Sequence, residues 1–347
     1  MKISMIGAGH TSGGKRHVKA LSEELRKTGN DVTMIWDDEH VFTLRPPSLR
    51  HYSLRLRKYR LLKLLERQSP DIVHFHIPGG LYDFAIEDVT KRLGVPVVAT
   101  IHLALGRRSF YDRMVGAYFR LLKSDLLAAD AMICVSRSAR DSFRKNLGLT
   151  RKIFAIPNGV DTDRFKPVGR KADGFRLLYV GRLSPEKGMR QLIKAFKIVR
   201  SRLECELCIV GDGPLRSLCT REAARTEGIK FLGTVSDDEL VRLYSSSHLT
   251  IVPSVWQEAF GLVPIESMAC ETAPLAFDAG ALPEIIKDGQ TGFIVRKKTP
   301  AALAEGIISA ARQDLSRIGK NGRKDVKKRF QWAKIAKETE RVYKTVI

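Results

Sequence analysis

Apolar positions along the chain fall in short runs separated by segments of helical spacing, and that alternation predicts the elements. In the first half KISMIGAG, DVTMIW, DIVHFH, VPVVATIH and AMICVS read as strands, with a helix from His17 to Thr28 between the first two. This is the βαβ rhythm of a parallel, doubly wound α/β sheet. After KIFAIPNGVD the rhythm restarts, and FRLLYVGR, LCIVGDG, IKFLG, LTIVPS and APLAFDAG predict a second sheet of the same kind. Pro157, Asn158 and Gly159 punctuate the chain between the two sets. We therefore expect a Rossmann-like N-terminal domain over residues 1–157 and a Rossmann-like C-terminal domain over 158–331. The stretch 332–347 has a helical pattern with Trp332, Ile335, Ala336 and Val342 to bury, and is expected to pack back on the N-terminal domain. Two such domains facing one another would bring the carboxyl ends of both sheets to a shared cleft, where open α/β sheets bind ligands.

Composition changes this picture little. A chain of 347 residues exceeds one ordinary core and suits two. Its 44% hydrophobic and 28% charged residues are those of a soluble folded protein. No run approaches the ~20 apolar residues that span a bilayer, and the opening MKISMIGAGH is short and Gly-rich for a signal peptide. The expected location is the cytoplasm, including the cytoplasmic face of the membrane. Five cysteines in no regular framework predict free thiols. Cys205 and Cys208 form a CxxC, but their offset within a strand puts them on opposite faces, which favours buried thiols over a zinc or redox pair.

Charge changes it more. Sixty Lys and Arg against 38 Asp and Glu leave +22, a field that steers anions and implies polyanionic company. Nucleic acid, anionic lipid headgroups, a phosphorylated lipid or an acidic glycan would each satisfy it. Between Arg45 and Arg67 eight basic residues, among them Arg55, Arg57, Lys58, Arg60 and Lys63, interleave with leucines and face one acid, Glu66. Arg107, Arg108, Arg113, Arg120 and Lys123 form a second basic cluster.

Several loops carry candidate chemistry. GAGHTSGG, from Gly7 to Gly14, follows a strand and precedes a helix, so its amides could approach a phosphate. With Asp37 at the end of the second strand, where a ribose-binding acid would lie, a NAD-linked oxidoreductase is a competing reading. In GRLSPEKG, Arg182 and Lys187 flank a proline turn and suit one diphosphate, the planar fork and the point charge together meeting a leaving anion. In EAFGLVPIE, Glu258 and Glu266 bracket Gly261 and Pro264, with the amides of Phe260, Gly261 and Leu262 near a helix start. One acid would grip a sugar and the other a ribose. His74 and His76 alternate onto one face of VHFH, but no third ligand at suitable sequence spacing accompanies them, so no metal is expected. Asp161 and Asp163 spell DTD, and their place after PNGV puts them in the expected hinge.

Taken in order, GRLSPEKG, VGDGP, LTIVPS, the pair Glu258 and Glu266, GALPEII and DGQTGFIV resemble family 4 of the glycosyltransferases, over essentially the whole chain. The resemblance implies the GT-B fold, a nucleoside-diphosphate sugar donor, retention of anomeric configuration, and no metal or other cofactor. Carried over by motif, Arg182 and Lys187 would bind the diphosphate, Glu258 the transferred sugar and Glu266 the ribose. Gly181, Gly211, Ala259, Phe260, Gly261 and Leu262 would complete the donor pocket. In the N-terminal domain, His102 matches the histidine near the reacting sugar, and Gly13 and Gly14 match the glycine pair facing donor and acceptor. Glu271 and Ala273 depart from the pattern, standing where the family typically has Gly then Pro.

The implied activity is hexosyl transfer from a UDP- or GDP-sugar. The two basic clusters point to an anionic or lipid-linked acceptor of glycolipid, polysaccharide or cell-envelope synthesis, with peripheral membrane contact. A small soluble acceptor is the alternative. No recognition helix, zinc finger or aromatic-interleaved basic strip supports specific nucleic-acid binding.

Overall fold

A computed structural model describes residues 1–8, 12–37, 47–78, 80–106, 110–149 and 152–347. The chain divides into two compact units, one made of Met1–Gly159 with Trp332–Ile347 and the other of Val160–Gln331. Each has a six-stranded sheet whose pairings are all parallel. In the first unit the strands are β1 (Lys2–Ala8), β2 (Asp31–Asp37), β3 (Ile72–Ile77), β4 (Val97–Ile101), β5 (Ala131–Cys134) and β6 (Ile153–Ala155). In the second they are β7 (Phe175–Val180), β8 (Cys205–Val210), β9 (Ile229–Gly233), β10 (Leu249–Val252), β11 (Ala273–Phe277) and β12 (Phe293–Val295). β3, β4, β5, β10 and β11 are buried along their whole length, as strands covered on both faces must be.

The first unit's helices are α1 (Ser12–Lys27), α2 (Pro47–Gln68), α3 (Ile86–Asp88), α4 (Phe110–Leu121), α5 (Lys123–Ala128) and α6 (Arg137–Leu147). The second unit carries α7 (Met189–Arg200), α8 (Arg216–Arg225), α9 (Asp237–Ser246), α10 (Leu262–Ala269), α11 (Leu282–Ile285), α12 (Pro300–Ala311) and α13 (Leu315–Arg329). α14 (Trp332–Tyr343) returns to the first unit, where Ile335, Ala336, Val342 and Tyr343 join Ile3, Met5, Val18 and Leu21 in one core. In the second unit α7 and α12 supply Leu192, Phe196, Leu303 and Ile307 to a core under β7, β8 and β11.

Strand order decides where each unit can bind. The first sheet runs β2-β1-β3-β4-β5-β6 and the second β12-β11-β10-β7-β8-β9. The winding reverses between β1 and β3 in one and between β7 and β10 in the other. At such a point the connections leave on opposite faces and open a crevice beyond the carboxyl ends of the strands. The segments leaving β7 and β10 are GRLSPEKG and PSVWQEAFG, so topology alone brings together two motifs about seventy residues apart in sequence.

One sequence expectation is corrected here. α1 begins at Ser12 rather than near His17, so Gly13 and Gly14 lie in its first turn and not in the preceding loop. The helical spacing of Val18, Leu21 and Leu25 marks the buried face, but two glycines hid the start.

Candidate active site

The segment leaving β7 turns sharply through Pro185–Lys187 and ends at Gly188. Gly188 has φ +73°, and a Cβ there would overlap the backbone carbonyl of Pro253, so glycine is what lets the loop lie against the one leaving β10. The Val255 amide donates to the Glu186 carbonyl at 3.0 Å and fixes the pair of loops together. Across this junction Lys187 Nζ meets Glu258 Oε1 at 2.5 Å, and Ser254 Oγ donates to the same oxygen at 2.5 Å. The Ala281 amide donates to the Glu258 carbonyl at 2.9 Å, and Gly280, at φ +61°, leaves room for the Glu258 backbone that a Cβ would invade. GALPEII therefore acts as a brace that holds the carboxylate in place.

Arg182 stands at the mouth of the same loop, exposed, with no ion-pair partner among the described residues. Tyr179 OH donates to its carbonyl at 2.8 Å, orienting the turn from below. Gly181 and Gly211 touch: a Cβ on Gly211 would overlap the Gly181 carbonyl. Helix starts add a further feature. Ser236, Thr299 and Asp314 cap α9, α12 and α13 with side-chain oxygens. The two helices that follow the paired loops, α7 and α10, begin under Gly188 and Gly261 with no side-chain cap, as do α8 and α11 elsewhere in the unit. The first-turn amides of α10 at Leu262 and Val263 therefore lack that internal acceptor and carry the positive end of the helix dipole.

Glu266 sits one turn into α10, buried, and accepts from Tyr244 OH at 2.9 Å. Phe260 is buried against Phe330, their rings 5.8 Å apart. The second unit thus gathers Arg182, Lys187, Glu258 and the start of α10 around one crevice, a constellation of two cations, a positioned carboxylate and helix-start amides without a side-chain cap, suited to a phosphorylated ligand.

In the first unit the carboxyl ends of β3 and β4 carry His74, His76 and His102. The rings of His74 and His76 lie 4.2 Å apart. His74 is saturated by Tyr343 OH at 2.6 Å and Thr100 Oγ1 at 2.7 Å. His76 Nδ1 lies 3.1 Å from His102 Nε2. His17 reaches in from α1, its ring 4.6 Å from that of His102 and its Nδ1 2.9 Å from Asn158 Oδ1, with Trp332 edge-on at 5.0 Å. Burial holds all four imidazoles below the ordinary histidine range, His74 at about 3 and His102 at about 4, with mutual repulsion adding to it for His17, His74 and His76. Sequence spacing did not reveal this cluster, because its third and fourth members come from a helix and from the segment that follows another strand.

Two profile matches decide the relationship: residues 11–164 match the Glycosyltransferase Family 4 model and 160–325 the Glycosyl transferases group 1 model. The chain belongs to glycosyltransferase family 4. Among its relatives is the phosphatidyl-myo-inositol mannosyltransferase of Mycobacterium tuberculosis, 29% identical over 313 residues, covering 83% of this chain and 77% of that protein. The structure superposes on sucrose-phosphate synthase from Thermosynechococcus elongatus with a TM-score of 0.83 at 23% identity, over 99% of this chain and 98% of the other. It superposes on Anabaena HepE in complex with UDP-glucose with a TM-score of 0.80 at 20% identity, over 99% and 100%. The architecture of this family 4 member is accordingly GT-B, with one Rossmann-like sheet in each unit.

The remaining sequence candidates divide. Asp37 is buried, and its oxygens accept from Arg57 Nη1 at 2.7 Å and the Tyr82 amide at 3.1 Å. The acid that suggested a dinucleotide enzyme is thus engaged within the fold. The same pairing turns Arg57 inward, and Lys58 binds Asp88 at 2.9 Å, so neither presents an uncommitted charge to an acceptor. Arg60 and Lys63 are exposed, Lys63 beside Glu66 at 2.9 Å. The Arg55 side chain, Arg107 and Arg108 lie outside the described residues. Asp161 accepts from the amides of Asp163 and Arg164 at 2.9 and 3.0 Å, closing a local turn. All five cysteines are buried and free.

Proposed function

We propose that this family 4 glycosyltransferase moves a hexose from a UDP- or GDP-sugar, with retention, to an anionic or lipid-linked acceptor. The observation that carries the donor part is the Lys187–Glu258 pair at the β7/β10 switch point, beside Arg182 and the α10 start without a side-chain cap. Departure of a nucleoside diphosphate from an anomeric carbon builds negative charge on the leaving phosphate as the sugar becomes oxocarbenium-like. Arg182, Lys187 and the amides of α10 answer that charge with fixed dipoles and cations, in place of a metal on the diphosphate. Lys187 would exchange Glu258 for phosphate when donor arrives, leaving Glu258, still held by Ser254, to accept from a sugar hydroxyl. Glu266 would take the ribose, with Tyr244 fixing its second oxygen.

In a front-face reaction the acceptor proton passes to the departing phosphate oxygen on the same side, so the bond to the leaving group breaks as the new glycosidic bond forms. No enzymic nucleophile is needed. UDP-glucose bound to the Anabaena structural neighbour supports a sugar-nucleotide donor, and the mannosyltransferase relative supports transfer of a hexose. The acceptor part draws on α2, where Leu56, Tyr59 and Leu64 are exposed beside Arg60 and Lys63, a pairing of apolar and basic groups suited to an anionic lipid surface.

The test is thermal stability against UDP, GDP, ADP, their sugar conjugates and NADH. A ligand at about 100 times its Kd adds ~2.7 kcal/mol to the apparent stability. We expect one nucleoside diphosphate to raise Tm, the shift to shrink in Lys187→Ala and Glu266→Ala, and the anomeric proton of the product to retain the donor's configuration by NMR. Stabilisation by NADH alone would overturn the donor reading.

A further inference from the structure

The imidazole cluster of the first unit is more elaborate than one histidine beside a sugar requires. His17, His76 and His102 each offer a ring nitrogen, and the three atoms lie within 4.8 Å of one another. They come from α1, β3 and the segment after β4, so tertiary structure and not local sequence drives the convergence.

Two details go beyond packing. His76 Nε2 is buried and has no hydrogen-bond partner among the described residues, although a buried polar group ordinarily finds one. His17 donates through Nδ1 to the side-chain oxygen of Asn158, which fixes its tautomer and leaves the lone pair on Nε2. An imidazole held at one nitrogen by a carbonyl, with the other presented inward, is the arrangement that supports metal ligands from the second layer.

We propose that His17, His76 and His102 bind one divalent transition-metal ion of the zinc type, with at least one coordination position open to solvent or substrate. The donor set contains only nitrogen, which suits zinc, cobalt, nickel or copper and disfavours magnesium and calcium. Tetrahedral ligands at ~2.0–2.1 Å from zinc lie roughly 3.4 Å apart, so a contraction of at most about 1.4 Å between any two closes the site. Neutral rings need lose no proton on binding. Thiols compete poorly, since all five cysteines are buried and burial pushes Cys134 up to about 12. Metal binding stands independently of the donor reading. One consequence does rest on it: an ion that takes the His102 lone pair withdraws that ring from the reacting sugar, so the metal acts as an inhibitor.

The experiment is titration of the full chain with Co²⁺, followed by visible d–d absorption, and equilibrium dialysis with Zn²⁺. We expect one equivalent bound without a thiolate-to-cobalt charge-transfer band. Affinity should fall at least tenfold in His17→Gln and in His102→Gln, fall about tenfold in Asn158→Ala, and stay unchanged in His248→Gln and Lys187→Ala. Circular dichroism selects variants that fold, and the less buried His102 provides the second variant should His17→Gln not fold. Absence of binding, a thiolate band, or stoichiometric binding retained in both histidine variants overturns the site. Nucleoside-diphosphate stabilisation, measured on the same samples, reports separately on the donor reading.

Discussion

Lys171 shows how a single residue can tune this fold with pH. Its Nζ lies 2.6 Å from the Ser247 carbonyl and 2.7 Å from Thr272 Oγ1, just beyond the carboxyl ends of α9 and α10. Those ends favour a cation, but desolvation dominates and lowers the ammonium from 10.5 to about 8. Between these values the unfolded chain holds a proton that the folded chain has released, so stability rises as pH climbs from about 8 towards 10.5. One pH unit across that window is worth up to about 1.4 kcal/mol. Urea unfolding at a series of pH values should show this rise in the native protein and its loss in Lys171→Met. Parallel curves would mean that Lys171 keeps its proton.

At the scale of elements, the turn after α10 departs from the family's sequence yet keeps the glycine geometry. Glu271 has φ +57°, left-handed backbone directly after Cys270, the C-cap of α10, which is the position where helices favour glycine. An L-residue there costs about 1–2 kcal/mol, and glycine gives back about 0.5–1 kcal/mol in the unfolded chain. Glu271→Gly should therefore stabilise the protein by about 0.5–1 kcal/mol, read as a Tm rise of roughly 1–4 °C by calorimetry. A fall in Tm would show that the Glu271 side chain contributes more than its backbone strain removes. The strands and the loops that leave β7 and β10 were legible from sequence because each signal is local: an apolar run, then glycines and charges at its carboxyl end. What local pattern could not show was the pairing of distant groups. Arg57 reads as a free basic residue until Asp37 is placed beside it, and VHFH reads as a histidine pair without a third partner until α1 and the segment after β4 bring in His17 and His102. The start of α1 was hidden for a different reason, since Gly13 and Gly14 carry no helix propensity to mark it.

At the scale of the molecule, the second unit is inserted between two parts of the first, whose core is complete only when α14 has been made. Gly159 lies at the exit from the first part and Trp332 at the return. A Cβ on Gly159 would drive into the Trp332 indole, and the same indole stands edge-on to His17. Local overpacking of this kind costs about 1–3 kcal/mol. Its effect should be confined to the unit that contains it, because the second unit has its own core under β7, β8 and β11. Gly159→Ala should therefore speed amide hydrogen exchange in β1 and β3 and leave β7 and β10 protected, while the Tm shift given by a nucleoside diphosphate persists. Faster exchange in both sheets would mean that the two units unfold as one cooperative block, and that the return of the chain through α14 stabilises more than the core it enters.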